Sequence, residues 1–138
     1  MEFVRRSVDS SSEFAEQCAV IDWWALWART RGVEPLALFS VPNGAHLAGN
    51  VSRRAIQARK LKSSGMRPGV PDLFLALPNQ WFHGMFIAMK RRKGSVLSSD
   101  QVEYIRILRR QDYNVIVARG ADEAIRAIQA YCEGVQHM

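Results

Sequence analysis

Apolar positions recur at helical spacing over residues of about 12–30. Phe14, Cys18, Ile21 and Ala25 form one stripe, and Glu16, Val20, Trp23 and Trp27 trace a second. Ser10 and Glu13 stand where a capping pair opens such a helix, and Gly32 and Pro35 stop it. Leu36–Val41 is a short apolar run closed by Pro42-Asn43-Gly44, the pattern of a strand followed by a turn. Asn50 to about Ser64 reads as a helix rich in Arg and Lys, with Gly65 as its stop. Met66-Arg67-Pro68-Gly69-Val70-Pro71 cannot be helical, so it predicts a fixed loop.

The second half alternates more quickly. Asp72–Leu77 is a strand, Pro78–Gly84 a turn and Met85–Met89 a second strand, which together predict an antiparallel hairpin with Trp81 and Phe82 at its tip. Ser98 to about Arg110 is the next helix, Tyr113–Ala118 a buried strand and Ala121–Cys132 a closing helix. The order α-β-α-β-β-α-β-α predicts a mixed sheet with helices on both faces. A right-handed crossover would set Tyr113–Ala118 parallel to Met85–Lys90.

Composition narrows this picture. At 138 residues and 48% hydrophobic, the chain suits one packed domain, with a core over about 13–132, and excludes wholesale disorder. No run approaches the roughly eighteen apolar residues of a membrane span. The opening MEFVRRSVDSSSEFAEQ has no apolar secretory core, so export by a standard signal is not expected. Cys18 and Cys132 lack metal-type neighbours and are expected to be small buried hydrophobes. The three histidines lack zinc-ligand spacing.

Charge carries more information. The chain is +6 in total, but its middle differs from its ends. Between Glu34 and Asp100 there are ten basic residues and one acid, Asp72, so 65 positions hold a net +9 and the rest of the chain −3. A basic middle with almost no compensating carboxylate points to a polyanion, most simply nucleic acid. Arg53, Arg54, Arg59, Lys60 and Lys62 share one helix, and Arg91, Arg92 and Lys93 follow the second hairpin strand. Phosphate contacts are their expected use, and Asn43 and His46, in the loop before the basic helix, either touch DNA or build the turn.

The single acid of that stretch has a placed partner. Side chains alternate along a strand, so positions 88 and 90 share a face. In a hairpin turning near Gln80–Phe82, Asp72 lies level with 88–90, and one carboxylate meets one ammonium group at the end of the sheet. Alone, Asp72 reads as a turn cap and Lys90 as strand-end solubility. Gln101 completes Ser98-x-x-Gln101, a capping box.

Pro71-Asp72 followed by Ala88-Met89-Lys90 resembles the PD-(D/E)XK nucleases, and the larger ordered set is similar to the VRR-NUC family. That set is Glu16-Gln17, Pro42-Asn43-Gly44, Ser64-Gly65, Pro68-Gly69-Val70-Pro71-Asp72-Leu73, FIAMKRRKG and Leu97-Ser98-Ser99-Asp100-Gln101, spanning about 13–118. The resemblance implies a three-layer α/β/α restriction-endonuclease-like fold with a mixed central sheet. It also implies a metal-dependent endonuclease acting on branched DNA, with four-way (Holliday) junctions as the leading substrate.

By that resemblance Asp72, a Glu at 88 and the Met89 carbonyl would hold Mg2+ or Mn2+. Glu16 would ligate a second ion or its water, Lys90 would orient the attacking water, and Gln101 would position Lys90. A divalent ion with oxygen ligands suits phosphodiester hydrolysis because it both activates water and offsets charge on the phosphorus centre. The departure is Ala88, which cannot coordinate a cation. With every other motif position intact, a substitution introduced to stop cleavage is favoured over a naturally silent homologue. The rival reading is a silent module that binds structured DNA. The resemblance further implies a homodimer in a bacterial or phage-infected cytoplasm, with no membrane and no small-molecule substrate.

Overall fold

The computed structural model describes residues 12–42 and 49–134. Helix α1 spans Glu13–Arg31, a single 3-10 turn at Pro35–Ala37 leads into β1 (Leu38–Ser40), and α2 spans Val51–Ser63. The hairpin strands are β2 (Leu73–Leu75) and β3 (Met85–Lys90), followed by α3 (Ser99–Arg110), β4 (Asn114–Arg119) and α4 (Ala121–Cys132). The sheet runs β1-β2-β3-β4. Its first three strands are antiparallel, and β3 pairs parallel to β4 from Met85↔Asn114 to Lys90↔Arg119. The predicted mixed sheet and crossover are therefore present.

Each face of the sheet has its own core. Leu73, Leu75, Met85, Ile87 and Met89 pack with Val20, Trp24, Ala28 and Ile128, which come from α1 and α4. On the other face, Phe86 and Val115 meet Ile105 and Leu108 of α3. This makes three layers, α/β/α. Helix α2 joins neither outer layer, for it buries no residue. Its sequence explains this, because cations interrupt every candidate apolar stripe.

In α1 the stripe that turns inward is Glu16, Val20, Trp24 and Ala28. Trp24 is anchored by its indole N–H, which donates to the Pro35 carbonyl at 2.9 Å, while Trp23 and Trp27 are only half-buried and stack at 5.1 Å. Cys18 is exposed, contrary to the expectation of a buried thiol. It lies two residues from the Glu16–Val20 stripe, about 200° around the helix, and so faces away from the core. Cys132 is half-buried against the α1–α4 core, as expected. The cap of α1 is Ser12, whose hydroxyl accepts from the Ala15 amide at 3.1 Å, whereas Ser10 lies outside the described residues.

The Met66–Pro71 loop is fixed by close approach. Gly69 sits at φ +89°, and a Cβ there would come within 2.3 Å of the Asp100 carbonyl oxygen in the first turn of α3. Only glycine meets both demands. The loop delivers Pro71, buried, and then Asp72 to the sheet, where the Val41 amide donates to the Asp72 carbonyl at 2.8 Å. Gly69→Ala should destabilise the fold by about 2 kcal/mol or more, a fall in Tm of roughly 6–10 °C. Thermal unfolding followed by circular dichroism checks this, and an unchanged Tm would mean the loop is not held against α3.

Candidate active site

The hairpin register continues past its last pair, Leu73↔Ile87, so Asp72 stands opposite Ala88. Asp72, Ala88 and Lys90 therefore face the α3 side of the sheet, the face that carries Phe74 and Phe86. Where the β2–β3 backbone ladder ends, the Asp72 side chain takes over, because its Oδ2 accepts from the Met89 amide at 2.7 Å. That bond holds the carboxylate against the strand that carries Lys90.

Lys90 is buried, only 7% exposed. Its Nζ donates to Gln101 Oε1 at 2.9 Å. The same oxygen accepts from the Ser98 amide at 2.9 Å, while Ser98 Oγ accepts from the Gln101 amide. One amide oxygen thus caps α3 and receives the buried ammonium group, so the two readings of Gln101 describe one arrangement. The α3 layer is what brings it there: Asp100 and Gln101 are the residues against which Gly69 is pressed.

Burial raises the Asp72 pKa above its ordinary carboxyl value, and the negative charge of Glu13 pushes the same way. The Met89 hydrogen bond and the positive charge of Lys90 oppose the rise without cancelling it. Glu13 is thus a site neighbour that the sequence pattern assigned only to capping. Its spacing, one turn before Glu16 on the first turn of α1, was the available signal.

Glu16 has a different setting. It is buried in the opposite layer, and its Oε1 accepts from the Ala121 amide at 2.7 Å. Its carboxylate also accepts from Arg92 Nε at 3.3 Å and Nη2 at 3.4 Å. Gly120 offers no side chain to cap α4, so Glu16 supplies the anion for that helix N-terminus. Arg92 further approaches Asp122 at 3.9 Å, and its Glu16 hydrogen bond raises its pKa. Expected as a phosphate contact, Arg92 is tied instead to the body of the domain, because Glu16 and α4's first turn supply nearby carboxylates.

The other cations named from the charge pattern are solvent-exposed. Arg53, Arg54, Arg59, Lys60 and Lys62 are exposed on α2, and Arg91 and Lys93 are exposed where the chain leaves β3. Asn43 and His46 lie outside the described residues.

A divalent cation needs more oxygen ligands than this site offers. Among the described residues no group of three or more His, Cys, Asp or Glu is placed to hold a metal ion. Ala88, 1% exposed, contributes opposite Asp72 only a methyl group, which cannot ligate a cation. The residues present do not fit a resident cation.

The VRR-NUC domain model matches residues 11–122, which includes every element of this site. The chain belongs to the VRR-NUC domain family. A solved structure described as a VRR_NUC domain protein is similar over 91% of this chain and 96% of its own, with 27% identity and a TM-score of 0.71. No curated protein matches the chain significantly. Membership makes this a nuclease-type, DNA-processing domain, of a kind that generally uses divalent metals. The PD-(D/E)XK placement agrees with Asp72 and Lys90 on one sheet face. No helix among the described residues is long and apolar enough to cross a membrane.

The Asp72 environment makes a testable statement about pH. A carboxyl whose pKa is raised on folding keeps a proton that the unfolded chain releases, so its contribution to stability falls as pH rises above the ordinary value of 3.8. Asn at 72 stays neutral and still accepts from the Met89 amide. Asp72→Asn should therefore melt above the parent at pH 7, with the difference shrinking as pH falls through the raised pKa towards 3.8 and vanishing below it. A difference that does not change with pH would show that burial of this carboxyl carries no such cost.

Proposed function

We propose that this domain is a metal-dependent, structure-selective DNA endonuclease disabled at position 88. In the active form, Mg2+ or Mn2+ would be held by Asp72 with a Glu at 88 and the Met89 carbonyl. The observation that carries this reading is the meeting of Asp72, Lys90 and Gln101 around a single methyl group. Asp72 pairs the Met89 amide and Gln101 caps α3, but neither task calls for a buried ammonium at the sheet end, and that is what Lys90 adds. Lys90, held by Gln101, is suited to orient a water and to offset developing negative charge. The chain as it stands binds DNA without cutting it.

Branched DNA, with the four-way junction as leading candidate, is the proposed substrate, cut by two copies that each act on one strand. Support comes from the spread of cations. The α2 row and the Arg91–Lys93 pair lie on separate elements, which suits backbone contacts on more than one duplex arm. Glu16 enters this proposal as a brace for Arg92 and α4, since its carboxylate is engaged there.

A second reading is a silent structured-DNA-binding module. It is favoured by how completely the Ala88 methyl is enclosed, at 1% exposure. The two readings part on one substitution. Ala88→Glu should restore nicking of labelled four-way junctions in Mg2+ or Mn2+, and adding Lys90→Ala should remove about 100-fold or more of the restored rate. Junction binding with no cleavage by the Ala88→Glu protein would sink the nuclease reading and leave the silent module.

A further inference from the structure

A groove of about 460 Å3 opens between α3 and the outermost strand, β4, on the layer that carries Gln101. Its floor is aliphatic, from Val102, Ile105 and Val117, and its rim is Arg106, Arg109 and Arg110. No acidic residue lines it. Val102 is 47% exposed, an unusual position for an apolar side chain beside three guanidinium groups. Two of the three are engaged, Arg106 by Glu103 on its own helix and Arg109 by the Val115 carbonyl at 2.8 Å. No partner is present for Arg110 among the described residues.

We propose that this groove docks an extended acidic segment of a partner protein, one that carries a bulky apolar anchor. The floor argues for a protein side chain over a base. Single-stranded nucleic acid packs its bases on aromatic rings or open guanidinium planes, and the groove lining has no ring while two guanidiniums are already bonded. The volume is that of a site for one or two side chains, not for a run of nucleotides. The rim argues for a carboxylate, because one uncommitted guanidinium on an acid-free border suits a single planar anion.

The groove also sets the spacing of its occupant. Val102 and Arg110 are eight residues apart on α3, about 12 Å along the axis, which about four residues of extended chain would span. The anchor and the acid should therefore be three to four residues apart. Val102 follows Gln101 and Val117 pairs with Ala88, so the groove borders the Asp72–Lys90 cleft, but peptide binding is read without cleavage and does not depend on whether the chain can be made to cut DNA.

The test is fluorescence anisotropy with a labelled eight-residue peptide in which two aspartates lie four residues from a leucine-phenylalanine pair. A control peptide has serines in place of the apolar pair, and a labelled oligo-dT strand stands for nucleic acid. Saturable binding of the acidic apolar peptide should weaken at least tenfold in Arg110→Glu and in Val102→Glu, both at exposed positions, and should be lost for the control peptide. No saturable binding by the parent overturns the proposal, as does binding that both variants retain. Oligo-dT binding that falls tenfold in both variants while the peptide fails to bind would assign the groove to nucleic acid instead.

Discussion

The bond from the Met89 amide to Asp72 Oδ2 organises the candidate site. At 2.7 Å it extends the β2–β3 ladder by one rung, using a side chain where the backbone of β2 no longer follows β3. An amide at that depth must be paired, since leaving it unpaired costs on the order of 1–3 kcal/mol. The same bond fixes a carboxylate beside the strand that carries Lys90. One contact thus serves the stability of the sheet end and the placement of its carboxylate. The burial that this demands is also what raises the Asp72 pKa.

Around that rung, each neighbouring element has one restraint. Gln101 pins the buried Lys90 ammonium and caps α3 with the same oxygen. Gly69 lets the preceding loop lie against Asp100, so the acid and the α3 cap are built on one another. On the opposite layer, Glu16 ties the exit of β3 to the start of α4 through Arg92 and Ala121. The Gly120 amide donates to the Lys90 carbonyl at 3.1 Å and closes the same corner through the backbone. The sheet end is thus clamped from both layers, and Ala88, opposite Asp72, adds no polar group to it.

Much of this was legible in the residues. Period-two and period-3.6 patterns placed α1, α3, α4 and the hairpin strands to within a few residues, because each buries a coherent apolar face, whereas α2 buries none and was read from its Arg- and Lys-rich run between Asn50 and Gly65. Asp72 was visible as the lone acid in a basic stretch, and its level with 88–90 followed from the length of the hairpin. What escaped the pattern was tertiary. Of the two stripes read on α1, packing against the sheet kept only Glu16 and Val20 of the second and completed the buried face with Trp24 and Ala28, leaving Cys18 outside. Arg92 read as a phosphate contact because its carboxylate partner is 76 residues away in sequence. Glu13 read as a cap because nothing local says that the first turn of α1 comes within electrostatic reach of Asp72.

On the proposed reading, one missing carboxylate separates this sheet end from a cation site. Calorimetric titration of Mn2+ into the parent chain, into Ala88→Glu and into Ala88→Glu with Asp72→Asn tests it without reference to any DNA. One saturable site is expected in Ala88→Glu, at least tenfold tighter than any in the parent, with loss of that gain when Asp72 is also replaced. Equal Mn2+ affinity in all three proteins, or a gain that survives Asp72→Asn, would contradict it.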